Sequence, residues 1–223
     1  MSTRWVTFDC FGTLVDWNTG FSNLLTPLFG AQTPDVMRAY HHFERELEAE
    51  RPRRLYREVL SAALVRAAAA VGVSISEARA RTLPEGWGLL PLFPDVENML
   101  GSLRAMSCRL AVLTNCDDDL FAQTESAFRQ PFDLVITAEQ VGAYKPSPMH
   151  FERFAEVARV SRHDWVHVAC SWYHDITPAR MLGIQRVWLD RDKTGHDARA
   201  ASARVESAAE VGQVVGQLYE NAA

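Results

Sequence analysis

The alternation of short apolar runs with helical segments is the feature that most constrains this fold. After residue 95, the strand-like runs CRLAVLTN, FDLVIT, WVHVACS and QRVWLD are each followed by a stretch with helical spacing. A similar apolar run, residues 4–8, stands near the start of the chain. Short apolar strands that alternate with helices predict an α/β fold with a parallel, doubly wound sheet. In such sheets the functional residues gather at the carboxyl ends of the strands.

Residues 18–85 interrupt this alternation with helical patterns and no strand signals. The first pattern begins near Thr33, a predicted N-cap, and the second ends at Gly72, a typical helix stop. The segment SISEARARTL predicts a third helix, capped by Ser74 or Ser76. We therefore predict a core domain made of residues 1–16 and 91–223, with a small helical domain, residues 17–90, inserted into it.

Chemically useful side chains follow four of the predicted strands. The first strand leads into the residues DCFGT, from Asp9 to Thr13, and the second into Thr114 and Asn115. Lys145 lies on the loop after the third strand, and the run CSWYHD, ending at Asp175, follows the fourth. Because the carboxyl ends of parallel strands share one edge, these loops are expected to bring two carboxylates, a lysine, several hydroxyls and an amide together.

Each of these residue types has a physical role in such a site. Asp9 is an anion at neutral pH and can attack an electrophilic carbon or phosphorus atom. Gly12 permits a tight turn and is expected to leave backbone N–H groups facing an anion. Thr114 can hydrogen-bond a substrate carboxylate or phosphate. Lys145 balances negative charge and keeps Asp9 ionised beside Asp175, which can orient the lysine or act as a base on water.

These motifs, in this order, resemble those of the haloacid dehalogenase superfamily over nearly the whole chain. DCFGTL resembles its nucleophile loop, LTN its Ser/Thr loop, YKPSP its lysine loop and ACSWYHDITPARMLGI its acidic loop. The resemblance implies a Rossmann-like core with a helical cap at the insert. It also implies that the catalytic residues are Asp9, Thr13, Lys145 and Asp175. The residues predicted to bind substrate are Cys10, Phe11, Phe43, Thr114, Asn115, Ser171, Trp172 and His174.

Phe11 and Cys170 decide between the two branches of that superfamily. Magnesium-dependent phosphatases carry a second aspartate where Phe11 stands and an acid where Cys170 stands. Phenylalanine cannot bind Mg²⁺ and a thiol binds it poorly, so neither a metal nor another cofactor is expected. The (S)-2-haloacid dehalogenases have an aromatic residue at the position of Phe11. The resemblance therefore implies hydrolysis of short (S)-2-haloacids through an aspartyl ester on Asp9, with inversion at C2.

The sequence also departs from the dehalogenase subgroup. That subgroup usually has an arginine early in the cap that holds the leaving halide, and Phe43 is the nearest match here, with Arg38 and Arg45 close by. Its asparagine in the last motif is Trp172 in this chain. Water positioning would then fall to Ser171, Tyr173 or His174. These departures leave two alternatives open: a hydrolase of another activated small carboxylic acid, or a small-metabolite phosphatase with an atypical magnesium site.

Simpler structural roles also remain open for the candidate residues. Asp9 could form a turn, and Asn115 or Asp175 could cap the helix that follows it. Lys145 could be a solvated loop residue, and the three acids that begin at Asp117 read as a solvated first helical turn. Three cysteines, Cys10, Cys116 and Cys170, lie at predicted strand ends. They could be small residues that fill the core, or they could form a redox-sensitive pocket.

Composition bounds the remaining expectations. The net charge of −5 gives no reason to expect nucleic acid or a membrane as a partner, so a small 2-substituted carboxylic acid is the predicted one. No apolar run approaches the length of a membrane span, no signal peptide is visible and the four cysteines lack a CxxC pair. These features predict a cytoplasmic enzyme with reduced thiols. The subgroup resemblance leaves a homodimer open.

Overall fold

The computed structural model describes residues 3–221. Within this range six strands form one parallel sheet, in the spatial order β3-β2-β1-β4-β5-β6. Their bounds are β1 Trp5–Phe8, β2 Arg109–Thr114, β3 Leu134–Thr137, β4 Trp165–Ala169, β5 Gln185–Leu189 and β6 Ala203–Val205. The order reverses beside β1, and this is the place where open α/β sheets bind ligands. The predicted α/β fold class is confirmed.

The helices have the bounds α1 Trp17–Phe29, α2 Thr33–Ala49, α3 Tyr56–Ala70, α4 Glu77–Ala80, α5 Thr82–Glu85, α6 Val96–Ala105, α7 Asp118–Glu125, α8 Ala138–Val141, α9 Met149–Ala158, α10 Thr177–Met181 and α11 Val211–Asn221. No helix among the described residues combines the length and the apolar character that crossing a membrane requires. The predicted third helix of the insert is two short helices, α4 and α5, and Ser76 caps the first of them. Thr33 is already helical and hydrogen-bonds back to Gly30 O, so it is not the predicted N-cap.

The sheet lies in one of two compact units. This unit contains the described residues up to Val15, the segment 92–114 and the described residues from Phe128 onward. Its central strand β1 is buried along its whole length, as expected for a strand covered on both faces. One part of its apolar core surrounds Trp5, whose ring meets the Phe154 ring edge-on at 5.3 Å. The edge strand β6 was not predicted, because a run of three residues, Ala-Arg-Val, carries too little periodicity.

The second unit is helical and contains Asp16–Pro91 together with Asn115–Ala127. The prediction placed 115–127 in the core domain, and the structure places it here. The reason is Asp117, which is fully buried and whose two carboxylate oxygens accept the backbone N–H groups of Tyr56, at 2.7 Å, and Arg57, at 2.9 Å. Asp117 thereby satisfies the first amides of α3 from a distant part of the chain. The expectation that Asp117 is solvated is wrong, whereas Asp118 and Asp119 are exposed.

Replacing Asp117 with alanine is expected to lower the free energy of unfolding by about 2–3 kcal/mol, because two amides at the start of α3 lose their acceptor. The matched control is Asp118→Ala in the same turn, where the side chain is exposed and the expected change stays within about 0.5 kcal/mol. Urea unfolding followed by circular dichroism measures both. Equal stability of the two variants would show that the Asp117 contacts contribute nothing net.

Candidate active site

The four predicted catalytic residues meet at the carboxyl ends of β1 and β4. Lys145 Nζ lies 2.8 Å from Asp9 Oδ1 and 2.7 Å from Asp175 Oδ1, and it also donates to Leu113 O at 2.8 Å. Thr13 Oγ1 donates to the other Asp9 oxygen, Oδ2, at 2.8 Å. All four side chains are buried. The sequence order of the loops and the strand order of the sheet together produce this cluster.

The first loop is built to hold Asp9 in place. The Asp9 backbone N–H donates to Val168 O at 3.1 Å, which fixes the end of β1 against β4. Gly12 has a φ of 93°, so the tight turn requires glycine. The expectation that the turn amides face an anion is wrong for Gly12 and Thr13, because their N–H groups donate to Val15 O and Cys10 O. The loop therefore holds the Asp9 carboxylate in place and does not present these two amides to a bound anion.

Thr13 has a second contact that sequence reasoning missed. Its Oγ1 accepts the backbone N–H of Cys170 at 2.9 Å while its own proton goes to Asp9. Both hydrogen-bonding functions of the hydroxyl are thus used, and they tie the nucleophile loop to the loop that follows β4. A threonine with two fixed partners has one rotamer available and holds the Asp9 carboxylate in one orientation.

Charge pairing sets the ionisation of the cluster. Burial alone would lower the pKa of Lys145, but the charges of Asp175 and Asp9 outweigh it and raise that pKa above its ordinary value. Burial would raise the pKa of Asp175, but Lys145 and a hydrogen bond from His167 lower it to about 2. Lys145 is therefore a cation and Asp175 an anion at neutral pH. Both the expectation of a solvated Lys145 and that of a purely capping Asp175 are wrong.

His167 also contacts this cluster, and it is not among the predicted site residues. It lies in β4 and is fully buried, and its Nε2 is 3.1 Å from Asp175 Oδ1. The available signal was a polar residue in the middle of the apolar run WVHVACS. In the structure this residue is in register with Thr7 of β1. A buried polar side chain needs hydrogen-bond partners, and that requirement points to the neighbouring strands and loops.

The predicted substrate-binding residues fall into different places. Cys10 and Thr114 are fully buried in the sheet unit, and Phe11 is half-buried. Phe43 and Asn115 belong to the helical unit, and the N-cap of α7 is Asp117, not Asn115. A role of these five residues in substrate binding stays a prediction.

The loop after β4 carries the other three predicted substrate-binding residues. Ser171 Oγ accepts the His174 N–H at 3.1 Å and lies 3.1 Å from His174 Nδ1, so these two side chains orient each other. The Trp172 ring stacks on His196 at 4.8 Å. Their binding roles also stay predictions.

The redox hypothesis for the cysteines loses support at Cys170. Burial, followed by the nearby charges of Asp192 and Asp9, raises the pKa of its thiol to about 12. The thiolate is the oxidisable form, so this thiol resists oxidation at neutral pH. Cys10 and Cys116 are fully buried, and none of the four cysteines, all of which lie in the described part of the chain, forms a disulfide. The filler interpretation fits these residues better.

The donors present do not fit the magnesium site of the phosphatase branch. Among residues 3–221, no group of three or more His, Cys, Asp or Glu side chains is arranged to hold a metal ion. Asp9 and Asp175 both turn an oxygen toward the Lys145 ammonium group, and Phe11 has no oxygen to offer. Mg²⁺ needs several oxygen ligands in octahedral geometry. These side chains therefore do not supply the ligands of such a site.

Comparison with known proteins gives one family model and several similar proteins. A sequence model described as "Hydrolase: haloacid dehalogenase-like hydrolase" matches residues 3–183. Haloacetate dehalogenase H-2 of Moraxella sp. (strain B) is 30% identical over 117 residues, 52% of this chain and 52% of that protein. Phosphoserine phosphatase of Thermus thermophilus is 31% identical over 129 residues, 55% of this chain and 52% of that protein. This chain thus spans about half the length of both relatives.

A solved structure resembles the chain over its full length. The crystal structure of the L-2-haloacid dehalogenase RSc1362 has a TM-score of 0.86, covering 97% of this chain and 100% of that one, at 21% identity. At this identity the likeness establishes the shared fold. The shared fold agrees with the parallel sheet and the inserted helical unit of this chain.

Proposed function

Since this chain belongs to the haloacid dehalogenase-like hydrolase family, we propose that it removes halide from short (S)-2-haloalkanoic acids without a metal ion. Phe11 is the observation that carries the proposal. It stands two residues after Asp9, at the position of the general acid of the phosphatases, and its ring can donate no proton. A leaving group must then depart as a stable anion. Halide does so, whereas the alkoxide of a phosphate ester needs protonation or charge neutralisation.

In the first step Asp9 acts as a nucleophile on carbon. One carboxylate oxygen bonds to C2 from the side opposite the halide, and the carbon–halide bond breaks with its electron pair leaving on the halide. Configuration at C2 inverts and an aspartyl ester forms. Thr13 and Lys145 hold the attacking carboxylate through hydrogen bonds of 2.8 Å each, so little orientation has to be gained during the reaction.

In the second step water cleaves the ester. Asp175 is an anion at neutral pH and can take a proton from water as the water oxygen bonds to the Asp9 carbonyl carbon. The bond between that carbon and the substrate oxygen then breaks, and the departing alkoxide takes the proton from Asp175. The products are a 2-hydroxy acid and a carboxylic acid at Asp9, which releases the second water proton to solvent. The net change converts haloacid and water into hydroxyacid, halide and a proton.

The two arginines near Phe43 already have partners on their own helix. Arg38 is exposed and pairs with Asp35 at 2.9 Å, and Arg45 donates to His41 O at 3.1 Å. Another activated small carboxylic acid, opened by the same attack of Asp9, therefore remains a substrate class to test. Mass spectrometry of the Asp9 peptide after exposure to a panel of such acids would detect its adduct.

The phosphatase alternative is favoured by one observation, the 31% identity to phosphoserine phosphatase over about half of the chain. It requires a metal ion to supply the charge neutralisation that the protein side chains do not. Magnesium-dependent release of phosphate from small phosphate esters, with no halide release from haloacids, would establish it in place of the dehalogenase.

The test of the proposed function is halide release from (S)-2-chloropropionate in the presence of EDTA. Because no step uses a metal ion, we expect the rate with EDTA to equal the rate with added magnesium. In oxygen-18 water, the label is expected first in the Asp9 peptide and only in later turnovers in the hydroxyacid, since the product oxygen comes from Asp9. Label that appears in the product but never in the Asp9 peptide would contradict the ester mechanism.

A further inference from the structure

Two polar residues face each other inside the buried sheet without being part of the cluster described above. Thr7 of β1 and His167 of β4 are register partners on neighbouring strands, and both are fully buried. Burying a polar group without a hydrogen bond is costly, so such residues in central strands carry a defined set of partners. Here those partners form a chain that ends at Asp175.

The direction of the hydrogen bonds in this chain follows from its two ends, because the indole at one end can only donate and the ionised Asp175 carboxylate at the other can only accept. Trp165 Nε1, which can only donate, lies 2.8 Å from Thr7 Oγ1. The Thr7 hydroxyl therefore accepts there and has its proton available for His167 Nδ1, at 2.9 Å. With Nδ1 accepting, the proton of a neutral imidazole sits on Nε2. That nitrogen donates to Asp175 Oδ1 at 3.1 Å.

The chain has a specific effect on the Asp175 carboxylate. Oδ1 receives two donors, His167 Nε2 and Lys145 Nζ, which fix the plane and the rotation of the carboxylate. Oδ2 is buried and accepts no hydrogen bond from any described residue of the chain. A carboxylate held through one oxygen leaves the other as the position that can accept a proton of water. Asp9 has a different set of side-chain partners, Thr13 and Lys145.

We propose that His167 is a positioning residue that holds Asp175 as the base for the second step, hydrolysis of the aspartyl ester. This inference rests on the proposed function and adds a residue to it. His167 touches neither the substrate carbon nor Asp9 in this role and acts only through Asp175. Its loss should therefore slow ester hydrolysis far more than halide displacement.

The experiment compares His167→Leu, His167→Gln and the control His163→Leu, whose side chain is exposed. Rapid-quench measurement of halide gives the first step, and intact-protein mass spectrometry gives the fraction of enzyme present as ester. In His167→Leu we expect ester hydrolysis to slow about 10- to 100-fold and first-turnover halide release to change less than about threefold, so that the ester accumulates. The glutamine amide can donate in place of Nε2 and should restore most of the hydrolysis rate.

The possible results separate the role of His167 from the proposed function. Equal slowing of both steps in His167→Leu, or no rescue by His167→Gln in a folded protein, overturns the role of His167 and leaves the proposed function standing. Absence of halide and adduct in the wild-type protein overturns the proposed function, and with it the assignment of His167 to ester hydrolysis.

A substrate-free measurement on the wild-type protein covers the case in which a variant fails to fold. Nitrogen-15 NMR of the labelled histidines should show a proton on His167 Nε2, the nitrogen that faces Asp175 Oδ1. The tautomer that carries its proton on Nδ1 alone has no donor for Asp175, and finding it overturns the proposal.

Discussion

Asp9→Asn is expected to lower halide release from (S)-2-chloropropionate at least about 10⁴-fold, because the amide is not a nucleophile and no ester can form. Asparagine keeps the size of the side chain and an acceptor oxygen for Lys145, so we expect the protein to remain folded. A halide electrode measures the rate, and intact-protein mass spectrometry should show no mass increase after exposure to substrate.

Two controls make the Asp9 result interpretable. Asp35→Asn changes an exposed acid that pairs with Arg38, and it should leave the rate unchanged. Peptide mapping must show that the amide at position 9 has not deamidated, since deamidation would regenerate the nucleophile. An Asp9→Asn protein that keeps more than about 1% of the wild-type rate, with the amide intact, would remove Asp9 as the nucleophile.

Lys145→Met should have the largest effect on stability, lowering the free energy of unfolding by about 3–5 kcal/mol at neutral pH. The ammonium nitrogen contacts Asp9, Asp175 and Leu113 O within 2.8 Å, and its loss leaves two carboxylates buried together without a cation. For a chain of this size, that change corresponds to a fall of about 10 °C or more in Tm. The control is Lys193→Met, which removes an exposed ion pair with Glu206 and should shift Tm little.

The pH dependence separates lost charge pairing from lost packing in this variant. The folded pKa of Asp175 in the wild type is lowered to about 2, below its unfolded value of about 3.9, so its contribution is present above pH 4. The wild type loses that contribution as the pH falls from about 4 to about 2. The variant has no such contribution to lose, and the stability difference should narrow over this range. A difference that is constant with pH would assign the effect to packing instead.

Much of this site could be predicted from the sequence because its chemistry is distributed by rule. Asp9, Lys145 and Asp175 each come just after a strand or on the loop that follows it, and parallel strands bring those loops to one edge. Phe11, two residues after Asp9, and Cys170 favour the metal-free branch of chemistry that we propose, and both positions can be located from the sequence. Local spacing and strand order are enough for such inferences.

The burial and the contacts of Asp117 and His167 could not be predicted from local spacing and strand order. Three consecutive acids at a helix start look alike in sequence, yet Asp117 is buried and caps α3 from 60 residues away, while Asp118 is exposed. His167 interrupts an apolar run in a way that many buried histidines do, and its value depends on Thr7 and Trp165 as partners. Burial and long-range hydrogen bonds are set by packing, which no local pattern encodes.

By itself the sequence determined the parallel α/β sheet, the inserted helical segment and the identity of the residues at the strand ends, because periodicity and chain order specify these. Only the tertiary structure decided that 115–127 joins the helical unit, that the Gly12 and Thr13 amides are used within their own loop, and that His167 Nε2 lies against Asp175 Oδ1. These outcomes depend on which buried polar groups find partners. Asp117 and His167 find partners on segments that folding, not chain order, brings near, whereas the Gly12 and Thr13 amides find theirs within the loop itself.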